Sequence, residues 1–535
     1  MKAIDGYDKL RGGYYTPHDI AQFIVNWAIR NPNDTILEPS CGDGSFLSAL
    51  QNKIGAENNK TVIAVELDKI EAKKAAIYGY NIVNNDFFTY YRDYIEGKQS
   101  FDVIVGNPPF IRYQNFDENY RTVAFEIMKR HGFHPNRLTN IWLPFLMLSC
   151  EALSDKGRIG MVIPAELFQV DYSAEARQYL SSHFAKLTLI TFKRLVFDDI
   201  QQEVVLLLGE KTARDAGIRV IELNGLEDLK NQCLSSMDKT EAKTLDHSND
   251  KWVKYYLSNE ELQLLRELNA DERISNATDL YEINVGLVSG ENDFFLSNWE
   301  RVIANDLQDE VKPIISRADQ VKGIHLSKEE YLLLRNNGKR VSIFMPDDLP
   351  VEELSKSAQD YIAWGESKGF NKNYKCRIRK RWYIVPNSWT ADAFLIRQAN
   401  LYPRMILNPA GALVTDTLHK VRFHYGVDRN AVASAFLNTY TLALSETLGR
   451  SYGGGVLTFE PGEMRRMRIP MRGAEKLDIE KIDLLQRAGR YEDILEYTDK
   501  HLLLDGLGMG KHDVSLLHSI WEKMRDRRLT RKLSS

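Results

Sequence analysis

Between residues 16 and 107 the chain alternates short apolar runs with helical stripes, and each of four runs is closed by an acid or an amide. Thr35 to Leu37 predicts a strand ended by Glu38. Thr61 to Val65 predicts a second, ended by Glu66. Tyr80 to Val83 predicts a third, closed by Asn85, Asp86, Phe87 and Phe88. Phe101 to Gly106 predicts a fourth that runs into Asn107-Pro108-Pro109-Phe110. Short continuous apolar runs of this kind fit strands buried on both faces of a parallel sheet. Helical signals lie between them. Thr16 followed by Pro17 predicts a helix start, cap then first position. Ile20, Phe23, Ile24, Trp27 and Ala28 continue it as one apolar stripe. Gly42 and Gly44 make a turn into a helix over 45–53, and 69–78 reads as another. Strand, glycine turn and helix together form the nucleotide-binding half of a Rossmann-like sheet.

Open parallel sheets bind ligands beyond the carboxyl ends of their strands, where these polar residues fall. Leu47 stands where the third glycine of a G-x-G-x-x-G turn would be, so a dinucleotide pyrophosphate is disfavoured. An acid ending the second strand suits the hydroxyls of a ribose. Asp86 can accept an adenine amino group, with Phe87 flanking the ring. In the fourth loop Pro108 and Pro109 remove two backbone donors and fix φ at about −65°. Asn107, preceding a proline, is kept out of the helical region. The result is a stiff loop with carbonyls, an amide and a ring, able to accept hydrogen bonds from an exocyclic amine and to stack on a flat heterocycle. One such acid alone would be an ordinary solvated group. Three acids and an asparagine at four successive strand ends point to a nucleoside site.

Length and charge then shape the rest. The 535 residues predict two or more domains. The 43% hydrophobic and 27% charged residues are those of a soluble globular protein. No run approaches the roughly 20 apolar residues of a membrane span, and Met1 to Gly6 lacks the apolar core of a signal peptide. The four cysteines, Cys41, Cys150, Cys233 and Cys376, lie far apart, so neither zinc nor a disulfide framework is expected and a reducing cytoplasm fits. A net charge of −4 does not advertise a nucleic-acid binder, yet it can hide a local basic face. The polar stretch 226–252 reads as a linker, giving domains at 1–240 and 241–535. In the second part, 285–296 predicts strand, turn and strand. Segments 311–317, 401–407 and 451–457 add short pieces, and 473–525 is mostly helical with a break at 505–510. Lys372 to Tyr383 interleaves six basic residues with three aromatics. Lys375, Arg377, Arg379, Lys380 and Arg381 are therefore candidates to contact DNA. Arg465, Arg466 and Arg468 are a weaker candidate. So is the terminal run Lys523, Arg525, Arg527, Arg528, Arg531 and Lys532, which reads equally well as a solvated tail.

This order of motifs resembles the S-adenosylmethionine-dependent amino-methyltransferases, in particular the gamma group of DNA adenine-N6 methyltransferases, the TaqI-type enzymes of Type II restriction–modification systems. The likeness runs from Gly12 to about Gly209: a Tyr/Thr-Pro helix entry, the glycine turn, the acids, then Asn107-Pro108-Pro109-Phe110. Leu138 to Phe145 leads a helix through Leu153, Lys156 to Pro164 looks like the fifth strand, and Leu195 to Leu208 like the last hairpin. The resemblance implies a Rossmann-like α/β domain of seven strands and a C-terminal mixed α+β target-recognition domain, with a helical C-terminal part. It implies S-adenosyl-L-methionine as cofactor, with Tyr15, Thr16, Glu38, Pro39 and Gly42 at the methionine half, Glu66 at the ribose, Asp86 and Phe87 at the adenine, and Asn107 facing it. Asn107 and the Pro108 carbonyl would accept the two hydrogens of the target amine. Phe110 and Phe197 would sandwich a flipped base in double-stranded DNA. It further implies a cognate restriction endonuclease on a separate chain, a monomer, no metal, and a cytoplasmic, nucleoid-associated location. N4-cytosine methylation shares the fold, although Ser is commoner than Asn at the first motif position there. A protein-glutamine methylase also uses an Asn-Pro-Pro loop, but the large basic-aromatic C-terminal half speaks against it. An inert DNA-binding subunit would not need the intact acids.

Overall fold

The computed structural model describes residues 15–530 except 56–59, 195, 198–202, 232–236, 238, 249, 387–388 and 452–453. Gly12 to Tyr14, Leu195, 198–202, Cys233, 452–453, Arg531 and Lys532 therefore lie outside the described residues. The chain divides into two compact units: the first runs to Leu262 and takes in Leu529 and Thr530 at the end of the last helix, and the second is Gln263–Arg528.

The first unit runs α1 (His18–Ala28), β1 (Ile36–Glu38), α2 (Ser45–Ile54), β2 (Val62–Glu66), α3 (Lys69–Ala75), β3 (Asn81–Asn84), α4 (Phe87–Tyr90), β4 (Phe101–Gly106), α5 (Glu118–Arg130), α6 (Trp142–Glu151), β5 (Leu153–Pro164), α7 (Ala174–His183), β6 (Lys186–Phe192), β7 (Val204–Glu210) and β8 (Gly217–Leu223). Among the described residues these strands form one sheet in the order β3-β2-β1-β4-β5-β7-β6-β8. Only β7 runs antiparallel to its neighbours; the other pairs are parallel. The count of seven is thus corrected to eight. Gly217–Leu223 adds a parallel edge beside β6, with Leu187 opposite Ile218. Arg219 and Glu222 interrupt its apolar run, which hid it in the sequence.

The inner strands are nearly wholly buried, as continuous apolar runs require. Helix α1 lies against them on the expected stripe. A side chain at Gly160 of β5 would come 2.5 Å from the Ile24 Cγ2, so glycine there sets how closely α1 approaches the sheet. Pro17, not Thr16, is the residue at the cap of α1, and no side chain caps it; the Thr16 hydroxyl is engaged elsewhere. No helix among the described residues is long and apolar enough to cross a membrane.

The second unit is mixed α+β. One four-stranded sheet pairs Tyr281–Val285, Leu418–Phe423, Ala393–Ile396 and Met405–Leu407 in that order, and another orders Leu296–Ser297, Ser342–Phe344, Val311–Ile315 and Leu413–Val414. Helices Ile479–Arg487, Tyr491–Asp499 and Lys511–Thr530 follow, broken at 505–510 as read. Segment 285–296 departs from its reading. Val285 ends a strand, and Asn292–Phe295 forms one helical turn started by Glu291, because Phe294 and Phe295 are both drawn fully into the core.

Candidate active site

β1 has β2 on one side and β4 on the other, so the chain leaves this point of the sheet in opposite directions. That switch point, at the carboxyl ends of the strands, is where such sheets hold ligands. A cavity of about 520 Å³ opens there, within the size range of a small-molecule site. Its wall contains Thr16, Glu38, Glu66, Asp86, Phe87 and Asn107, joined by Tyr15, Pro39 and Gly42. The structure thus brings together all nine residues nominated for the cofactor.

The carboxyls are held by different means. Glu38, at the end of β1, is 1% exposed. Burial first, then the neighbouring Glu66 and Asp43, push its carboxyl well above the usual range. Its Oε2 is buried and has no hydrogen-bond partner among the described residues. Glu66 accepts the Gly42 N–H on Oε2 at 2.8 Å and the Asp68 N–H on Oε1 at 2.8 Å. Burial raises it against these amides. Gly42 takes φ +52° and Gly44 φ +97°, and a side chain at Gly44 would lie 2.6 Å from the Tyr78 ring. The turn therefore needs glycine at the second position for space as well as backbone. Asp86 caps α4 by accepting the Thr89 N–H at 2.7 Å, and burial raises it too. Phe87 stacks on Phe145 at 5.1 Å and 16°. Three carboxyls whose charge is opposed by burial form a wall suited to a cation and to hydroxyl donors.

At the fourth strand end the Asn107 Nδ2 donates to the Thr16 Oγ1 at 3.1 Å, and the Asn107 backbone carbonyl accepts the Ser40 hydroxyl at 3.3 Å. Thr16 thus orients the amide across 91 residues of sequence. Pro109 and Ile111 reach the cavity wall, whereas Pro108 is buried beside it. Phe110 and Phe197 are brought into one hydrophobic cluster with the buried face of α1, and neither lines the cavity. Phe197 is only 6% exposed. Sequence reading missed Phe116, Tyr120 and Phe145, which add aromatic wall. The spacing of Phe116 and Tyr120, four apart after the proline loop, was the available signal.

The basic stretch of the second unit splits in two. Lys375, Arg377 and Lys380 are exposed. Arg379 donates to the Val288 carbonyl at 2.7 Å, and Arg381 pairs with Asp348 at 2.6 Å. The weaker candidates include structural groups: Arg465 donates to the Ile283 carbonyl, Arg468 to those of Asp271 and Ile274, and Arg528 forms an ion pair with Glu446 in which both side chains are 2% exposed.

Comparison with known proteins adds the following. The N-6 DNA methylase family model matches residues 5–287, more than half of the chain. The model for the C-terminal domain of Type II methyltransferase M.Eco57I matches 249–503. Type II methyltransferase M.AccI of Acinetobacter calcoaceticus is 23% identical over 529 residues, covering 93% of this chain and 94% of its own. Type II methyltransferase M.XamI of Xanthomonas campestris pv. amaranthicola is 24% identical, over 86% of this chain and 85% of its own. Among solved structures, the Type IIL restriction-modification enzyme MmeI in complex with DNA has a similar fold, with a TM-score of 0.56 at 11% identity over 93% of this chain and 73% of that one. By the match over more than half its length, the chain belongs to the N-6 DNA methylase family.

Proposed function

We propose that the chain is a site-specific DNA adenine-N6 methyltransferase of the gamma, TaqI-type group, using S-adenosyl-L-methionine within a Type II restriction–modification system. One observation carries the reading: Glu38, Glu66, Asp86 and Asn107, from the ends of four adjacent strands, meet on one cavity. The residues fit the cofactor. Glu38 offers a buried oxygen without a partner among the described residues, suited to an ammonium group. Glu66 keeps acceptor capacity on both oxygens beyond its two amide bonds, suited to a ribose diol. Asp86 can accept an adenine amino group beside Phe87. Tyr15, Pro39 and Gly42 complete the methionine side, and the amino end of α1 suits a carboxylate. When bound, the cofactor supplies a methyl group carried on a sulfonium, ready for in-line transfer.

The chain's own residues do the rest by positioning. An exocyclic amine is a poor nucleophile because its lone pair is delocalised into the ring. Asn107 Oδ1 and the Pro108 carbonyl accept its two hydrogens, which favours a pyramidal nitrogen and localises the lone pair toward the methyl group. Thr16, holding Nδ2, fixes which end of the amide serves as acceptor. This is orientation and local electrostatics rather than strong-base chemistry. The base must leave the duplex to reach this site. Phe110 and Phe197 are assigned to stack on it; Phe110 is half-buried against the hydrophobic cluster that holds Phe197, and the Phe197 ring would have to leave that cluster to do so. The second unit is assigned target recognition on double-stranded DNA, with the cognate endonuclease a separate chain.

The test is methyl transfer from labelled S-adenosylmethionine to unmethylated genomic DNA, with modified positions mapped by single-molecule sequencing. N6-methyladenine in one short motif is expected. N4-methylcytosine would move the target to the other exocyclic amine. Label on protein and none on DNA would overturn the reading.

A further inference from the structure

Two sequence segments of the second unit meet in the fold, and what they leave exposed has a use. Gly290, at φ +86°, brings 285–291 so close to 373–379 that a side chain on it would lie 2.9 Å from the Lys375 Cβ and 3.1 Å from the Cys376 sulfur. Glu291 accepts the Asn373 amide at 2.6 Å, and Arg379 reaches back to the Val288 carbonyl. Beneath, Cys376 is fully buried, Trp382 packs on Phe294 at 4.5 Å, and the Tyr383 hydroxyl donates to the Leu349 carbonyl at 2.7 Å. The short turn Tyr374–Arg377 is therefore pinned on several sides.

On that rigid base Tyr374 stands 64% exposed and Ile378 58% exposed. They are four residues apart in a helical turn and so share a side. Lys375, Arg377 and Lys380, each within two residues of one of them in the chain, are also exposed, and the Lys375 Nζ lies 5.9 Å from the centre of the Tyr374 ring. The nearby acids are engaged: Glu291 with Asn373, Asp348 with Arg381 and Glu366 with the Trp382 indole. A held pair of large exposed apolar side chains flanked along the chain by exposed cations is not an ordinary solvated loop tip. The cations select a polyanion, and phosphates alone leave the apolar pair exposed. A nucleic-acid duplex satisfies both, because its bases present apolar faces between two rows of phosphate. We infer that Tyr374 and Ile378 are base-contacting residues, an apolar tooth that enters the bound duplex and stacks into one base step, while Lys375, Arg377 and Lys380 hold the flanking phosphates.

This rests on the DNA-methyltransferase reading, and its test separates the two. The full chain is titrated with duplexes that carry the mapped motif and 2-aminopurine at successive positions, over a salt series. The wild type should raise fluorescence at a step other than the methylated adenine. Tyr374→Ala and Ile378→Ala should abolish that second signal and weaken binding about tenfold, with the slope of log K against log salt unchanged. Lys375→Ala and Arg377→Ala should keep the signal and reduce the slope by about one unit each. Both apolar positions are exposed, and unchanged thermal unfolding confirms intact variants. Tyr374→Ala with unchanged affinity and fluorescence overturns the tooth, as does a lost salt slope in place of a lost stack. A wild type that binds no DNA overturns the methyltransferase reading instead.

Discussion

Glu66→Gln tests the cofactor assignment most sharply, because it changes charge and hydrogen bonding with almost no change of volume. Both carboxylate oxygens accept a backbone N–H at 2.8 Å, from Gly42 and from Asp68. A glutamine keeps one acceptor and turns an NH2 toward the other amide, donor against donor. In the unliganded protein this loss is partly offset, because burial already opposes the charge that the substitution removes. About 1 kcal/mol of destabilisation is expected, a shift of a few degrees at most in the melting temperature. The bound state has more to lose. Ribose hydroxyls donating to a carboxylate make bonds worth about 1.5–3 kcal/mol each, and the amide offers one neutral acceptor in their place. A loss of about 2–3 kcal/mol corresponds to roughly 30- to 150-fold in Kd. Isothermal titration of both proteins with S-adenosylmethionine measures it, and melting of the unliganded proteins controls for folding. Turnover at saturating cofactor should stay near wild type, since the proposed role of Glu66 is confined to the cofactor and Asn107 is untouched. A Kd within threefold of wild type in a stably folded variant would remove Glu66 from the cofactor site.

Other expectations follow from the same geometry. Asn107→Ala should lower single-turnover methyl transfer about a hundredfold or more while DNA affinity stays within a few-fold; weakened DNA binding with normal transfer per bound complex would contradict its role. Burial raises Glu38, Glu66 and Asp86 in the unliganded cavity. A cationic, hydroxyl-bearing ligand favours their ionised forms and lowers those values, so binding should release protons, and affinity should rise with pH through the raised values and then level. Titration in buffers of different ionisation heat reads the sign directly, and proton uptake would refute it. Arg528→Ala removes the partner of buried Glu446 and the donors to the Leu401 and Gly455 carbonyls. It should cost about 3–5 kcal/mol in denaturant unfolding of the second unit, and a loss below about 1 kcal/mol would mean that the pair is not the anchor its burial implies.

The sheet and much of the cavity wall were legible because both obey local rules. A strand buried on two faces must be a continuous apolar run, and in a parallel sheet every run ends on the same side. Glu38, Glu66, Asp86 and Asn107 could therefore be placed together without knowing one long-range contact. What escaped was non-local. The Thr16–Asn107 bond joins residues 91 apart, and nothing in a Thr-Pro pair distinguishes a helix cap from a hydroxyl that orients a distant amide. β8 escaped because an edge strand can afford Arg219 and Glu222. The place of Phe197 in the hydrophobic cluster, with Phe110 half-buried against it, depends on packing that neither local pattern encodes.

Arginine shows the limit most clearly. Sequence gives its charge but not its partner, and the side chain is long enough to reach backbone carbonyls far along the chain. Arg379, Arg381, Arg465, Arg468 and Arg528 all sit in runs that look basic, yet each is tied to a carbonyl or an acid of the second unit. Charge density along the sequence therefore overstates the electrostatic footprint, just as the net charge of −4 understates it. In the 372–383 segment the cations left exposed reduce to Lys372, Lys375, Arg377 and Lys380. Each phosphate contact would contribute about −0.9 to the slope of log K against log salt, so the four together would give a slope of about −4 at most. Phosphate contacts, whatever their number, fix position and carry no sequence information. If this segment meets DNA as inferred above, sequence must be read by contacts to the bases, and Tyr374 and Ile378 are its large exposed apolar side chains.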